Sequence, residues 1–370
     1  MERRQVGMSK MVQTVIVVGA GIIGAATAFQ FSRAGQNVRI VNAGRADATG
    51  AAFGWINASF FLNNDHHQLR AAGIAAWHRV LADLPVPVDW QGCLCWDMDA
   101  PQMEATFAQL QALDYPVEML TRSQVLAREP ALKGIPEQAL FFPNEGAASS
   151  AEIAQHFLRA AQALGAKLIS NVYVSGLKTK NGRVIGIETQ QGDMLSDQVI
   201  VAAGTGTTAI AQSIDCNVPL VSRPAYILRT TPQGRLLNHI LATPDGEIRQ
   251  EPSGQILMPV AVSHQSDTAE ELVQTPTDAA DAAIARLRDI CGGLENCDWS
   301  EVIRAERPVP KDGLPIVGPI AEGAYVAVLH SGITLGPIIA ELIGKDITGR
   351  LDNADASMLA PYRPDRFIGR

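Results

Sequence analysis

The segment TVIVVGAGIIGAATAFQFSRAGQNVRIVN, residues 14–42, decides the fold. Val15 to Val18 form an apolar, β-branched run that predicts a buried strand, and small and apolar residues then recur at helical spacing as far as Arg33. The turn between them reads Gly19, Ala20, Gly21, Ile22, Ile23, Gly24. Gly35 ends the helix, and Asn37 to Val41 predict a second strand. This complete strand-helix-strand unit predicts a dinucleotide-binding site.

Each glycine of the turn has its own physical role. Gly19 allows the tight turn, Gly21 lets the backbone approach a pyrophosphate, and Gly24 lets helix and strand pack closely. The pyrophosphate is expected at the helix N-terminus, beside Ile22 and Ile23, because unpaired N–H groups and the helix dipole favour an anion there. The motif is informative because it stands inside a full unit, whereas an isolated glycine pattern would be weak.

The end of the second strand departs from the usual pattern. An acidic residue that binds the ribose hydroxyls is expected there, but the position holds Asn42, followed by Ala43. An amide oxygen accepts only a weaker, uncharged hydrogen bond. Without a carboxylate, the motif leaves NAD, NADP and FAD open. We interpret Arg45 as a solvated loop residue rather than as a partner for a 2′-phosphate.

Composition and charge narrow the class of protein. The chain of 370 residues can bury one large core or two moderate ones, and its net charge of −8 with a pI near 5.4 argues against nucleic acid as a partner. No stretch approaches the roughly 18 apolar residues of a membrane helix. The polar first ten residues are interpreted as a leader. Together with five scattered cysteines, which indicate a reducing compartment, these features predict a cytoplasmic protein.

The middle of the chain repeats the pattern of apolar strands and amphipathic helices seen in the first unit. Residues 149–152, Ser-Ser-Ala-Glu, have capping-box spacing and open an amphipathic helix, which a short strand follows. Residues 172–190 predict a hairpin with an Asn-Gly turn. The apolar strand at residues 198–202 runs into Ala203 and Gly204. Such a buried strand ending in small residues is expected beside a ligand.

Two other regions predict a second domain. Residues 88–98 and 117–120 are predicted strands, and residues 218–303 alternate strand-like pieces with one helix at residues 278–290. Strands covered by an isolated helix favour an antiparallel sheet. We therefore predict an α/β protein, with a Rossmann-like domain and a second, mostly antiparallel α+β domain. The pair His66 and His67 is interpreted as an exposed helix start, and no metal site is predicted.

Separated stretches of the chain resemble one family. They read VIVVGAGIIGAATAFQFSRAG at residues 15–35, DQVIVAAGTGT at 197–207, RPVPKDGLPIVGP at 307–319 and YVAVLHSGITLGPIIAELIGKDITG at 325–349. Together they resemble the FAD-dependent oxidoreductases of the glycine oxidase, sarcosine oxidase and D-amino acid oxidase group. The resemblance implies FAD as the cofactor. It also implies an FAD-binding domain of residues 11–84, 143–216 and 307–370, and a substrate domain of residues 85–142 and 217–306.

The resemblance also implies which residues contact FAD. Asn42 stands where relatives carry the ribose-binding acid, and the loop at residues 49–57 lies against the diphosphate and flavin. Val172 meets adenine through its backbone, and residues 330–336 lie against the flavin pyrimidine, where amides and a helix N-terminus stabilise negative charge. The implied contacts are Gly19, Gly21, Ile22, Ile23, Gly24, Asn42, Ala43, Thr49, Gly50, Ala51, Val172, Ala203, Gly204, Gly332, Ile333, Thr334 and Leu335.

Two further side chains are implied for the chemistry. Arg307 matches the arginine that pairs with the substrate carboxylate, and a planar guanidinium can hold a carboxylate through two hydrogen bonds. The alternative is a structural ion pair of Arg307 with Glu306 or Glu301. His330 is interpreted as a turn residue rather than as a general base. Tyr226 and Arg249 are weaker candidates for the pocket.

The expected function is oxidation of the C–N bond of a small amine or amino acid by hydride transfer to FAD. Cysteine and histidine are missing where relatives attach their flavin covalently, so FAD is expected to be non-covalent. The electron acceptor is oxygen or a respiratory or protein acceptor, with Lys311 as one contributor to oxygen reactivity, and the chain can form an oligomer. The alternatives are a subunit of a hetero-oligomeric opine or hydroxyproline-type dehydrogenase, a flavin-binding subunit without catalysis and, more distantly, an NAD-linked dehydrogenase.

Overall fold

The computed structural model describes residues 13–45, 48–262 and 268–367, and the leader interpreted at the first ten residues lies outside these ranges. In the described residues the strands are β1 (Thr14–Val18), β2 (Asn37–Asn42), β3 (Trp55–Ile56), β4 (Val88–Asp89), β5 (Cys93–Cys95), β6 (Glu118–Thr121), β7 (Gln138–Phe142), β8 (Gly146–Ala148), β9 (Lys167–Ser170), β10 (Val174–Lys180), β11 (Arg183–Thr189), β12 (Met194–Leu195), β13 (Gln198–Val201), β14 (Leu220–Val221), β15 (Pro224–Thr230), β16 (Ile240–Thr243), β17 (Gly246–Gln250), β18 (Ile256–Pro259), β19 (Trp299–Glu306), β20 (Val309–Pro310), β21 (Ile316–Ala321) and β22 (Ala324–Val328). The helices are α1 (Ile22–Arg33), α2 (Asn64–Asp83), α3 (Ala100–Ala112), α4 (Arg122–Arg128), α5 (Ser150–Ala163), α6 (Thr207–Gln212), α7 (Pro276–Ile290), α8 (Gly332–Ile347) and α9 (Asn353–Leu359), with short 3₁₀ turns at Gly204–Gly206, Ala360–Tyr362 and Pro364–Phe367.

A six-stranded sheet carries the glycine turn at its centre. Its order is β21-β22-β13-β1-β2-β9, and neighbouring strands are parallel except β21 with β22. Val15 and Val17 of β1 face the core formed with α1, α5 and α8. Ile16 and Val18 face the opposite side, which the sheet β10-β11-β12 covers. Burial on both faces explains why β1 is an uninterrupted apolar run.

Small residues let α1 approach the sheet closely. Gly19 turns the chain with a φ of +108°, a conformation that favours glycine. A side chain on Gly19 would collide with the carbonyl oxygen of Ala202, and a side chain on Gly24 would collide with the carbonyl oxygen of Gly19. The N-terminus of α1 therefore opens directly at the carboxyl ends of β1 and β13.

The second large sheet of the structure has eight strands. Its order is β19-β15-β18-β17-β16-β5-β7-β6, and neighbouring strands are antiparallel except β16 with β5. The strands come from residues 93–142 and 224–306. Ala283, Ile284 and Leu287 of α7 are buried against one face of this sheet. This arrangement agrees with the mostly antiparallel sheet expected from the sequence, but α7 is not a single helical cover, because α3 and α4 also contact β6 or β7.

Three local predictions are corrected. The strand expected over residues 88–98 is two short strands, because the chain turns at Gly92 with a φ of +72°. The capping-box hydrogen bonds expected at residues 149–152 do not form, although α5 does begin there. His66 and His67 are buried, with 6% and 3% exposure, so the prediction that they form an exposed helix start is wrong. The helix begins earlier, at Asn64, and Asn63 caps it by accepting the His66 N–H at 2.9 Å.

The close approach of α1 predicts unequal effects for two helix glycines. Gly24→Ala should lower the free energy of unfolding by about 1–3 kcal/mol, because the added methyl group overpacks the contact with Gly19. The matched control is Gly344→Ala in α8, whose new Cβ would meet Gln30 at an ordinary 3.5 Å. That change should be neutral or should stabilise by up to about 1 kcal/mol. Urea unfolding of both variants checks the difference, and equal effects would contradict the packing argument.

Candidate active site

A cavity of about 560 Å³ opens at the carboxyl ends of β1, β13 and β22. The chain leaves β1 through α1 to β2 on one side, while β13 lies on the other side, so the strand order switches at this point. Ligands of open α/β sheets bind at such a switch point. The volume is typical of small-molecule and cofactor sites. Ala225, Ile227 and Arg307 extend the wall from the eight-stranded sheet and the turn that follows it.

Asn42, Ala43 and Val172 border the cavity at the end of β2. The Val172 N–H donates to the carbonyl oxygen of Asn42 at 3.0 Å, and the Asn42 Oδ1 accepts the N–H of Gly44 at 3.2 Å. Asn42 therefore shapes its own turn and presents an uncharged acceptor. The Arg45 guanidinium lies 5.4 Å from the centre of the Tyr173 ring at the exposed rim.

The N-terminus of α1 presents backbone amides to the cavity. The Ile22 N–H donates to Thr49 Oγ1 at 3.0 Å, which fixes the following loop beside the glycine turn. The first turn of α1 has no acidic residue, and its N-cap, Gly21, has no side chain that could cap the amides. The positive end of the helix dipole therefore points at the cavity, as a diphosphate would require.

The N-terminus of α8 borders the end of the cavity that is farther from Asn42. Ser331 caps this helix in the left-handed region, with a φ of +60°. Non-glycine residues adopt that conformation infrequently. Gly332, Ile333 and Thr334 follow it along the cavity wall, and the first turn again carries no acidic residue. A second helix dipole therefore faces the same cavity.

Side chains of α2 and α8 hold the loop of residues 53–57 against this helix start. The Thr334 hydroxyl donates to the carbonyl oxygen of Trp55 and accepts the N–H of Asn57, both at 3.2 Å. Trp77 of α2 donates its indole N–H to the carbonyl oxygen of Ile333 at 2.9 Å. These hydrogen bonds hold the loop and the helix start together as two adjoining walls of the cavity.

Arg70 is a functional candidate that sequence reasoning missed. It is only 3% exposed, yet it lines the cavity. Its Nε donates to the carbonyl oxygen of Asn57 at 3.1 Å, one terminal nitrogen donates to Asn57 Oδ1, and the other donates to Ser331 Oγ at 2.8 Å. In the sequence, Arg70 looks like an ordinary charged residue of an amphipathic helix, so no local signal marks it.

Glu145, in the turn between β7 and β8, was also missed, because no local pattern in the sequence marks it. Its fully buried carboxylate accepts hydrogen bonds from the Trp55 indole at 3.0 Å, the N–H groups of Ala58 and Ser59 at 3.1 and 3.0 Å, and the Tyr115 hydroxyl at 2.9 Å. Burial raises the pKa of Glu145, while these hydrogen bonds oppose the rise. Glu145 thus anchors the loop from behind the cavity wall.

His330 occupies the turn between β22 and α8. Its Nδ1 lies 3.2 Å from Ser331 Oγ. Burial, together with the positive charges of Arg307 and Arg70, lowers the pKa of His330 to about 4. The imidazole is therefore neutral at neutral pH, and a base with so low a pKa is weak.

Arg307 lies where the eight-stranded sheet meets the cavity. It is 9% exposed, lines the cavity, and donates from Nε to the carbonyl oxygen of Arg223 at 3.0 Å. The two alternative partners bind other arginines: Glu306 pairs with Arg304 at 3.3 Å, and Glu301 pairs with Arg229 at 3.4 Å. Arg307 itself lines the cavity, and its charge lies close enough to His330 to lower the pKa of that imidazole.

Most residues expected at the site come together. Those that line the cavity are Gly19, Gly21, Ile22, Ile23, Asn42, Ala43, Thr49, Ala51, Val172, Ala203, Gly204, Arg307, His330, Gly332, Ile333 and Thr334. Gly24, Gly50 and Leu335 do not line it in the described residues. Gly24 packs against Gly19, and Leu335 is fully buried in the core. The weaker candidates Tyr226, Arg249 and Lys311 also lie outside the described lining.

Two kinds of feature are absent from the described residues. No group of three or more histidine, cysteine or acidic side chains is arranged to hold a metal ion in residues 13–45, 48–262 and 268–367. Over the same ranges, no helix combines the length and the apolar character needed to cross a membrane.

The uncharged Asn42 predicts that FAD affinity can be improved. Asn42→Asp should lower the dissociation constant of the expected FAD roughly tenfold, about 1.4 kcal/mol, because a charged acceptor binds ribose hydroxyls more strongly. Fluorescence titration of the apoprotein measures this constant. The matched control is Asn37→Asp at the exposed start of the same strand, which should leave it unchanged. Equal affinities for all three proteins would show that Asn42 does not contact the ribose.

Comparison with known proteins identifies the family of this chain. The family described as FAD dependent oxidoreductase (DAO) matches residues 14–345. Glycine oxidase of Geobacillus kaustophilus is 24% identical over 379 residues, covering 96% of this chain and 97% of that protein. Hydrogen cyanide synthase subunit HcnC of Pseudomonas aeruginosa is 25% identical over 407 residues, covering 95% and 96%. The crystal structure of the Geobacillus kaustophilus glycine oxidase superposes with a TM-score of 0.86 at 20% identity, covering 96% and 99%.

These matches confirm the predicted fold, a Rossmann-like FAD domain with a second domain. They also confirm FAD as the cofactor, so the alternatives NAD and NADP are set aside. The cavity suits FAD on its own geometry, because a close-packed glycine turn and two helix N-termini, neither capped by the side chain of its own N-cap residue, meet at the strand-order switch. Since the match spans nearly the whole length, the chain belongs to the family of FAD-dependent oxidoreductases.

Proposed function

We propose that this enzyme oxidises the C–N bond of a small amine or amino acid, giving an imine that water hydrolyses. The observation that carries the proposal is the position of Arg307, which faces the same end of the cavity as the N-terminus of α8. Bound FAD would accept the hydride, which carries both electrons of the oxidation. Similarity to glycine oxidase supports this substrate class.

Arg307 is proposed to hold the carboxylate of the substrate. The wall around Arg307 contains the apolar residues Ala225 and Ile227 and the charged residues Arg304 and Glu306. An anionic group bound there would meet the Arg307 cation beside a partly apolar surface. A planar guanidinium can orient a carboxylate and thereby fix the adjacent C–H bond. The apolar neighbours exclude water from the reacting carbon.

His330 is proposed to take no part as a base. Its pKa of about 4 leaves it unprotonated but weakly basic. The substrate nitrogen must then arrive as the neutral amine, because only its lone pair can stabilise the positive charge that develops when the hydride leaves. The protein contributes orientation and electrostatic stabilisation rather than proton transfer at carbon.

Further proposals concern organisation. The strands of the six-stranded sheet fall within residues 11–84, 143–216 and 307–370, and those of the eight-stranded sheet within 85–142 and 217–306, which supports the proposed FAD-binding and substrate domains. Non-covalent FAD is proposed from the missing tether residues, and a cytoplasmic location from five cysteines without a disulfide. Release of free FAD when the protein is precipitated with acid tests whether FAD is bound non-covalently.

A second candidate is a subunit of a hetero-oligomeric dehydrogenase. The similarity to hydrogen cyanide synthase subunit HcnC, over 95% of this chain, favours it. An oxidase passes electrons to oxygen, whereas such a subunit passes them to a partner or respiratory acceptor. Reoxidation of the reduced protein by air distinguishes the two: rapid reoxidation supports an oxidase, and slow reoxidation that a dye accelerates supports the dehydrogenase.

The proposed reaction is tested by anaerobic mixing with a panel of amino acids, N-alkyl amino acids and simple amines. Loss of the yellow flavin absorbance with a member of this panel is expected, together with release of the matching carbonyl product. If no amine bleaches the flavin while dithionite does, the protein binds FAD without catalysing amine oxidation.

Arg307→Lys should lower kcat/KM for a carboxylate substrate roughly 30-fold, which corresponds to about 2 kcal/mol of activation free energy. Lysine keeps the positive charge but cannot form the two parallel hydrogen bonds of a guanidinium. FAD affinity should change little. The matched control is Arg122→Lys on α4, whose exposed side chain pairs with Glu137 away from the cavity lining, and its effect should stay below about 1 kcal/mol. An unchanged kcat/KM in Arg307→Lys would remove the carboxylate assignment.

The rate of anaerobic flavin bleaching should rise with pH and level off after one ionisation. That ionisation belongs to the bound amine, so its pKa should shift when amines of different basicity are compared. Stopped-flow spectroscopy measures it. His330→Ala should slow bleaching moderately and leave the ionisation in place. A pKa that stays constant across substrates and vanishes in His330→Ala would make the histidine a base.

A further inference from the structure

Arg70 is a buried cation whose contacts are all neutral. Its three hydrogen bonds go to the carbonyl and side-chain oxygens of Asn57 and to the hydroxyl of Ser331. In the described part of the chain, no carboxylate forms an ion pair with it. The Glu145 carboxylate attracts the guanidinium only from a distance. The hydrogen bonds of that carboxylate go instead to four other donors. A buried charge without a contacting counter-charge is costly unless a ligand supplies one.

The charge of Arg70 persists at working pH. Burial lowers its pKa to about 10, while Glu145 and Tyr115 oppose the decrease, so the guanidinium remains protonated at neutral pH. The same charge helps to depress the pKa of His330, which places it near the end of the cavity that His330 borders. The positive field of Arg70 therefore reaches the cavity.

The two partners of Arg70 belong to two different walls of that end. Asn57 ends the loop of residues 53–57, and Ser331 caps α8 in the left-handed conformation. Such strained residues persist only when their surroundings fix them. The guanidinium, planar and held at three points, fixes both walls to each other. A compact ammonium could not reproduce this geometry.

The flavin belongs at this end on physical grounds. A dinucleotide lies across the strand-order switch with its diphosphate at α1, so one half lies toward β2 and the other toward β22 and α8. Asn42 and Val172 form the β2 side, with no substrate wall beside them, whereas Arg307 and Ile227 border the α8 side. The redox-active half must therefore lie beside α8.

We propose that Arg70 is a positioning residue for the flavin: it joins Asn57 to Ser331 across the flavin end of the cavity, and its buried charge stabilises the reduced, anionic flavin. The inference rests on the proposed placement of the flavin. It does not depend on which amine is oxidised, because the stabilisation acts on the cofactor before any substrate binds.

The test is the two-electron reduction potential of bound FAD, measured without substrate by equilibration with reference dyes. Arg70→Gln should lower the equilibrium constant for reduction roughly tenfold or more, a shift of about 30 mV to more negative potential. Arg70→Lys keeps the charge and should shift the potential less, while weakening FAD binding through loss of the three-point contact. The matched control is Arg79→Gln on the exposed face of the same helix, paired with Glu341, which should leave the potential unchanged.

A second variant decides the matter if Arg70→Gln does not fold. Asn57→Asp keeps the shape of the contact but places a carboxylate on the guanidinium, so the potential should again become more negative. An unchanged potential in either folded variant overturns the proposal, even if stability or FAD affinity falls. If Arg70→Gln alters only the KM of a carboxylate substrate, Arg70 belongs to substrate binding and the proposal is likewise overturned. Failure of the amine screen leaves these potentials unaffected.

Discussion

Two helix N-termini open onto one cavity because α8 lies unusually close to α1. A side chain on Gly336 would come within 2.9 Å of the Ile22 side chain, and one on Gly332 within 3.2 Å, so the absence of side chains at both positions allows the close contact. This packing, with the approach of Gly24 to Gly19, aligns two positive helix ends on the same space. The cofactor's negative charge is therefore met largely by backbone groups, which cannot ionise and need no reorganisation.

The charged side chains around the cavity follow from that arrangement. Arg70 and Arg307 lie at one end, and burial together with their combined field lowers the pKa of the neighbouring His330 and keeps it neutral. The buried carboxylate of Glu145 stands behind the wall, where it binds the loop instead of neutralising the cavity. The site is thus positive without being basic: it attracts anions but offers no strong proton acceptor.

Local patterns account for what could be predicted from the sequence. Val15 to Val18 and the glycines after them lie within a few residues of each other, so their spacing already determines strand, turn and helix. The same holds for the strand that ends at Ala203. Arg70 and Ser331 are 261 residues apart, and Glu145 is 86 to 90 residues from Ser59 and Trp55. Pairings of that range leave no spacing signal, which is why these residues, and the burial of His66 and His67, were not anticipated.

The eight-stranded sheet also contacts the loop of residues 53–57. Arg249 of β17 is 2% exposed; it donates from Nε to the carbonyl oxygen of Phe53, 196 residues away, and pairs with Glu251 at 3.0 Å. A side chain on Gly54 would come within 2.9 Å of the same guanidinium. The two sheets are therefore not interchangeable modules. A chimera that takes its eight-stranded sheet from a relative must therefore bring a matching partner for Phe53 and Gly54. Without that partner, the graft will disorder the loop of residues 53–57 along with the proposed substrate pocket that it was meant to exchange.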